Sequence, residues 1–157
     1  MTPFPHRYGV DLMGGPHGHA ALSGAGTPPL STAPPPEFGG PGDAWSPEQL
    51  LLAAVDACFL FTFRVVARAS GLDFVDLDVS SEGIVDRANG VTRFTQIVLW
   101  PRLTVAPGAD PDRAIRVMEK AERACLVTAS LSTPVRLEPR VDVAGPVAAA
   151  TDPHVPA

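Results

Sequence analysis

The sequence is short of charge and above all of lysine. Asp, Glu, Lys and Arg make up 18% of its 157 residues, the net charge is −5, and Lys120 is the one lysine. Nucleic-acid binding depends on clustered basic side chains that displace counterions from phosphates, so this composition argues against a nucleic-acid partner. Residues 1–8 also lack the basic segment and apolar run of a secretory signal, which predicts a cytoplasmic protein.

Long hydrophobic runs are scarce as well. The most apolar stretch, residues 50–63, is shorter than the ~18–20 residues of a membrane span and contains Asp56. It therefore predicts a core helix and no membrane partner. A chain that is 45% apolar can fold around one core, and we expect a single domain over residues 1–143, best supported over 46–143, with a disordered tail at 144–157.

The order of patterns predicts an α+β fold. Ten of the 18 prolines fall in the first 47 residues, so we expect only a strand at 6–12, a turn at Gly14–Gly15 and a loop at 23–43. Ser46, Pro47 and Gln49 form a capping signature for a helix that runs to about Ala69.

Strands and a second helix are predicted for the remainder. The pattern predicts a strand at 72–79 with a bulge at residues 74–75, a turn at 86–90, and a strand at 91–105 bent near Pro101. An amphipathic helix opens at Asp110–Pro111 and ends at Cys125, with ion pairs between Asp112 and Arg116 and between Glu119 and Arg123. A last strand spans 135–143, at an edge because of Pro139.

The first helix is apolar on nearly every side over its first four turns. A chain of this length has little material to enclose such a helix, so we expect a second copy of the chain to supply part of the cover. The predicted assembly is a homodimer.

The chain has two cysteines, Cys58 and Cys125. Both fall on apolar helix faces, and the simplest interpretation is that they are small core residues; redox chemistry is the alternative. Apolar neighbours raise the pKa of a thiol, so a reactive Cys58 needs a nearby cation or hydrogen-bond donor. Disulfide formation would require Cα atoms within about 4.4–6.8 Å, which sequence alone does not establish.

Two segments resemble the OsmC/Ohr family, named for osmotic induction and organic hydroperoxide resistance. Residues 46–59, SPEQLLLAAVDACF, are similar to the family's Pro-Glu-x-Leu helix, which leads to its peroxidatic cysteine ten residues after the glutamate. Residues 120–127, KAERACLV, are similar to the helix end that carries its resolving cysteine. With the strands between them, the resemblance covers roughly residues 37–143 and implies an intertwined homodimer, with a long central helix enclosed by antiparallel sheets and a second amphipathic helix.

The resemblance also implies an activity. Cys58 would reduce an alkyl or fatty-acid hydroperoxide and become a sulfenic acid, and Cys125 would condense with it to a disulfide, in defence against oxidative stress. A dithiol, such as a lipoyl group on a protein, would restore both thiols, with no cofactor and no metal. An apolar pocket would favour organic hydroperoxides.

The family's activating arginine has no counterpart here. In the family a glutamate, here Glu48, holds that arginine against the cysteine, but Pro16 stands at the arginine's expected place. Arg7 is the first candidate for the missing cation. The other candidates are Arg64, Arg68 and protonated His17.

Other interpretations stay open. One is a diverged OsmC-like stress or apolar-ligand-binding protein without peroxidase activity, and another is a thiol sensor whose disulfide changes a binding surface. A zinc site made by His17, His19 and the two cysteines is disfavoured because the spacing is not a zinc signature. Asp56, inside an apolar helix, is expected to find a polar partner.

Overall fold

A computed structural model describes residues 3–145. By the density of contacts the chain divides into two compact units, Met1–Ala53 and Ala54–Ala157. The single domain over 1–143 stays a prediction. Residues 146–157 of the predicted disordered tail lie outside the described residues.

The first unit contains a small antiparallel sheet. Its strands β1 (Asp11–Met13), β2 (Ala20–Ser23) and β3 (Leu30–Thr32) lie in that order, and a 3-10 turn follows at Pro36–Phe38. Of the strand predicted at 6–12, only the last two residues are in a strand, because β1 begins at Asp11; it ends at Met13. The loop predicted at 23–43 includes β3, because the four residues between Pro29 and Pro34 keep their N–H groups for pairing.

Helix α1 spans Pro47–Ala69, as the capping signature predicts. Ser46 and Gln49 form the reciprocal pair of a capping box: the Gln49 N–H donates to Ser46 Oγ at 3.2 Å, and the Ser46 N–H donates to Gln49 Oε1 at 3.0 Å. At the other end Gly71 adopts a positive φ of 61°, a conformation that favours glycine and ends the helix.

The second unit is built on a mixed four-stranded sheet. Strand β4 (Asp76–Ala88) pairs antiparallel with β5 (Val91–Val105), and the turn between them places Asn89 and Gly90 at positive φ, as a type I′ hairpin requires. Strands β6 (Val135–Leu137) and β7 (Arg140–Val143) both run parallel to β5. The predicted α+β class is confirmed, although this sheet is not purely antiparallel.

Several details of the strands differ from the prediction. The strand predicted at 72–79 lies at Asp76–Ala88, and the turn predicted at 86–90 is confined to Asn89 and Gly90, because the pairing of β4 with β5 continues to Ala88 and Val91. The register shift lies at Ile84–Val85 and not at residues 74–75, because Phe74 and Val75 precede β4. The last strand lies at the sheet edge as predicted, but it is divided between β6 and β7, since Pro139 has no N–H to donate to the ladder.

Helix α2 spans Pro111–Ala124 and a short helix α3 spans Leu126–Ala129. Asp110 caps α2 by accepting from the Asp112 N–H at 3.0 Å. Arg116 pairs with Asp110 at 3.6 Å and not with Asp112, because the side chain reaches back to the cap. No ion pair between Glu119 and Arg123 is found among the described residues.

The core of the second unit lies between α1, α2 and the sheet. Its buried residues come from all three elements and are Val55, Phe59, Phe63, Val66, Ala67, Leu72, Leu77, Leu99, Leu103, Val105, Ala114, Val117, Met118 and Ala121. These contacts place one end of α2 beside the middle of α1.

Helix α1 is long and apolar enough, by length and composition alone, to cross a membrane. The prediction that its apolar stretch is too short for this was wrong, because 18 consecutive residues of α1, extending beyond residues 50–63, are together apolar enough. The core helix of a soluble protein meets the same criterion. That no membrane is involved stays a prediction.

Candidate functional site

Cys58 lies at the middle of α1, on a face adjacent to the one that fills the core. The buried face is formed by Val55, Phe59, Phe63 and Val66, spaced three and four residues apart. Cys58 is only partly buried. Its sulfur is therefore supported by the core and still accessible from one side.

Cys125 follows the last residue of α2 and precedes α3. Its N–H donates to the Glu122 carbonyl at 3.1 Å, and its side chain is fully buried, with 0% of its surface exposed. Its Sγ lies 2.8 Å from Cys58 Sγ, with the Cys125 thiol as donor and both cysteines free. Residues 67 positions apart in sequence thus meet with their sulfurs in direct contact.

Hydrogen-bond donors surround the Cys58 sulfur. Burial by itself raises the pKa of Cys58, but hydrogen bonds from the Cys125 thiol, the Val127 N–H, the Thr62 hydroxyl and the Leu126 N–H together lower it below the ordinary value of a thiol. Thr62 Oγ1 is 3.9 Å from Cys58 Sγ. The site stabilises the charged form of Cys58.

The pKa of Cys125 is shifted in the opposite direction. Burial raises the pKa of Cys125, and its hydrogen bond to Cys58 raises it further. When the pair loses a proton, the charge is therefore favoured on Cys58 and the hydrogen on Cys125.

Within residues 3–145, no charged side chain is among the groups that lower the pKa of Cys58. Arg64 lies over the ring of Phe61, with its guanidinium carbon 5.4 Å from the ring centroid. Arg7 is exposed and lines a cavity of about 580 Å³ with residues of the N-terminal unit, among them Tyr8 and Leu22. Arg68 and His17 are also exposed. Activation by any of these cations stays a prediction.

Glu48 and Asp56 each have a buried side-chain oxygen with no hydrogen-bond partner among the described residues, Oε2 and Oδ1 respectively. Burial raises the pKa of Asp56, and a hydrogen bond from Ser81 partly offsets the increase. Asp56 thus has a polar neighbour, as expected, but not enough donors for both oxygens. The role of Glu48 in holding a cation stays a prediction.

The described residues contain no group of three or more His, Cys, Asp or Glu side chains that could hold a metal ion. His19 instead lies 2.7 Å from Asp43, through Nε2 and Oδ1. That contact lowers the pKa of Asp43.

A cavity of about 540 Å³ lies against β4, β5 and the junction of β6 with β7. Its lining includes Ser80, Trp100, Arg102 and Glu138 but not Cys58. This lining mixes charged and apolar side chains and does not reach Cys58, so this cavity is not the apolar pocket expected for an organic hydroperoxide. An apolar pocket at Cys58 stays a prediction.

Three hydrogen-bond donors at the site were not predicted from the sequence. Thr62 was within reach of sequence reasoning, because a residue four positions after Cys58 on a helix lies on the same side. The N–H groups of Leu126 and Val127 were not, because α3 gave no recognisable pattern. They reach Cys58 only through the packing of α2 against α1.

Comparisons with known proteins identify a family. The family model described as OsmC-like protein matches residues 40–140. The uncharacterized protein YmaD of Bacillus subtilis (strain 168) is 32% identical over 107 residues, which are 66% of this chain and 71% of YmaD. The family-model match lies within residues 37–143, the part of the chain that the sequence resemblance covers.

Solved structures resemble the whole fold. An organic hydroperoxide resistance protein OsmC from Legionella pneumophila superposes with a TM-score of 0.71 at 26% identity, over 90% of this chain and 100% of that one. An OsmC-like protein of unknown function from Vibrio cholerae gives a TM-score of 0.79 at 16% identity, over 86% and 99%. At that lower identity the likeness concerns the fold alone.

Proposed function

This chain belongs to the OsmC family, and from that premise we propose that it reduces organic hydroperoxides through Cys58 and Cys125. Family membership and likeness to organic hydroperoxide resistance proteins support a general role in redox or stress chemistry. The observation that carries the specific proposal is the 2.8 Å contact between a partly exposed Cys58 and a buried Cys125. Two cysteines that only filled space in the core would not need to place their sulfur atoms in contact.

The reaction begins with the Cys58 thiolate. Its sulfur attacks the distal oxygen of the hydroperoxide, the O–O bond breaks, and the departing alkoxide takes up a proton to become an alcohol. Cys58 is thereby oxidised by two electrons to a sulfenic acid. The Cys125 sulfur then attacks the Cys58 sulfur, the S–O bond breaks, and the sulfenic hydroxyl takes up the Cys125 proton and leaves as water.

A dithiol completes the cycle. One of its thiolates attacks the Cys58–Cys125 disulfide and forms a mixed disulfide with one of the two cysteines. Its second thiol then attacks that mixed disulfide, so the dithiol leaves as its own disulfide and both protein thiols are restored. A lipoyl group on a protein is the reductant we propose, and alkyl or fatty-acid hydroperoxides are the substrates.

A second copy of the chain is the proposed partner. Phe61 and Val65, on the side of α1 that carries Cys58, are each 57% exposed in a single chain. Large apolar side chains grouped on one helix face commonly mark a protein interface. Size-exclusion chromatography with light scattering tests this, and a stable monomer at micromolar concentration would contradict it.

The activity is tested on the reduced protein with one equivalent of cumene hydroperoxide. We expect rapid loss of both thiols and a mass decrease of about 2 Da as the disulfide forms. Cys58→Ser is expected to leave Cys125 unoxidised. Cys125→Ser is expected to stop the reaction at the Cys58 sulfenic acid, with a mass increase of about 16 Da.

A second candidate is favoured by Pro16, which stands where the family has its activating arginine. It is an OsmC-like protein that binds an apolar ligand and has no peroxidase activity. Survival of both thiols in excess hydroperoxide would refute the peroxidase and support this candidate.

A further inference from the structure

The hydrogen bond between the two sulfurs exists before any peroxide has reacted. Cys125 donates and Cys58 accepts, with 2.8 Å between the sulfurs. Cys125 is fully buried, so water does not compete for its S–H. The two thiols therefore form a donor–acceptor pair already in the reduced protein.

We propose that the Cys125 thiol is the main donor that holds Cys58 as a thiolate, in the role of the family's arginine, at whose expected place this sequence has Pro16. This deepens the proposed function, because attack on a peroxide requires a thiolate. Cys125 would then act twice, first as the hydrogen-bond donor that prepares Cys58 and later as the thiol that resolves its sulfenic acid.

The surroundings of the pair support this assignment. Cys125 is the largest of the influences that lower the pKa of Cys58, ahead of the Val127 N–H, the Thr62 hydroxyl and the Leu126 N–H. Thr62 lies at 3.9 Å, a longer contact than the one between the sulfurs. The neighbouring basic residue on the same helix, Arg64, is placed over Phe61.

The state of Cys125 is consistent with a donor. Burial raises the pKa of Cys125, so the thiol keeps its proton at the pH where Cys58 is ionised. The proton stays bound to the Cys125 sulfur and forms the hydrogen bond to the Cys58 sulfur. A donor that ionised as readily as its acceptor could not perform this role, because two adjacent thiolates would repel each other.

Substitution of Cys125 separates donation from resolution. Cys125→Ser and Cys125→Ala both prevent disulfide formation, but only the serine hydroxyl can donate to Cys58. The pKa of Cys58 is measured from the pH dependence of its alkylation by iodoacetamide in both variants. We expect Cys125→Ala to raise that pKa by about one unit and to slow alkylation about tenfold at neutral pH, with Cys125→Ser close to the parent protein.

Peroxide reactivity gives a second readout. The rate of Cys58 sulfenic acid formation with cumene hydroperoxide should follow the same order, with serine faster than alanine. If alanine destabilises the fold, Cys125→Val fills the buried space without a donor and takes its place. Equal pKa values and equal sulfenic acid rates in the serine and non-donor variants would overturn the proposal.

The outcomes distinguish this inference from the proposed function. If Cys58 in the parent protein resists peroxide while its pKa still rises in Cys125→Ala, the peroxidase fails and the donor role stands. If peroxide oxidises Cys58 equally fast in all variants, the peroxidase stands and the donor role fails.

Discussion

The two faces of helix α1 differ in what surrounds them. One face carries Phe59 and Phe63, fully buried and stacked with ring centroids 6.4 Å apart. The neighbouring face carries Cys58 between apolar side chains, of which Phe61 and Val65 are more than half exposed. One side of this largely apolar helix therefore stabilises the fold, and the other side carries Cys58 and exposed apolar side chains.

The largest expected effect contrasts Phe59 with Phe61. Phe59→Ala should lower the free energy of unfolding by about 3–5 kcal/mol, because it leaves a cavity in a packed core. Phe61→Ala should cost less than about 1 kcal/mol within one chain, as a surface substitution does, and shift the light-scattering mass toward monomer. Urea unfolding at a concentration where both variants are monomeric checks this. Equal losses would show that the two faces do not differ.

The next effect concerns the two thiols. Because its donors stabilise the charged form, Cys58 should reach its full alkylation rate below the pH at which an ordinary free thiol ionises. Cys125, buried and with its pKa raised, should react at least about tenfold more slowly at pH 7, since one pKa unit changes the thiolate fraction tenfold. Peptide mapping after iodoacetamide labelling distinguishes them. Faster labelling of Cys125 would contradict the assignment of thiolate and thiol.

A smaller effect is expected at Thr62. Thr62→Val removes the hydroxyl that lies 3.9 Å from the Cys58 sulfur and keeps the shape of the side chain. The pKa of Cys58 should rise by less than about one unit, because so long a contact is a weak hydrogen bond. Thr62→Ser is the matched control and should restore the parent value. Identical alkylation profiles for all three proteins would remove Thr62 from the site.

The smallest effect concerns Asp56. Because burial raises its pKa, the protonated carboxyl is favoured in the folded state, and its contribution to stability is lost as pH rises through the folded pKa. Asp56→Asn should therefore be more favourable to stability at pH 7 than at pH 3. The difference should be below about 1 kcal/mol, since a partly solvated carboxylate is screened. Thermal unfolding at both pH values checks this, and an opposite pH trend would contradict it.

Sequence reasoning located the helices more accurately than the strands. Ser46 and Asp110 are recognised as caps because capping is a local interaction, complete within three residues. The division of the last strand was not predicted. Pro139 divides the strand only if its missing N–H would have donated to a carbonyl of the neighbouring strand, and that pairing depends on the tertiary fold.

The chemistry at Cys58 was predicted only in part. A hydrocarbon environment was inferred from neighbours on the same helix, whereas the sulfur is surrounded by donors from Thr62, Cys125 and the start of α3. Donors of the kind that a reactive Cys58 requires are present around the sulfur, whereas activation by a cation stays a prediction. Donors from a distant segment cannot be counted from helical spacing.

The sequence by itself determined where α1 and α2 begin, that Cys58 lies on α1 and Cys125 at the end of α2, and the family to which the chain belongs. Each of these depends on local patterns of caps, spacing and residue type. Only the tertiary structure brought Cys125 to within 2.8 Å of Cys58 and aimed its thiol at the sulfur. The reason is physical: the ionisation of a thiol depends on every group within a few ångströms in space, and packing of the core selects those groups.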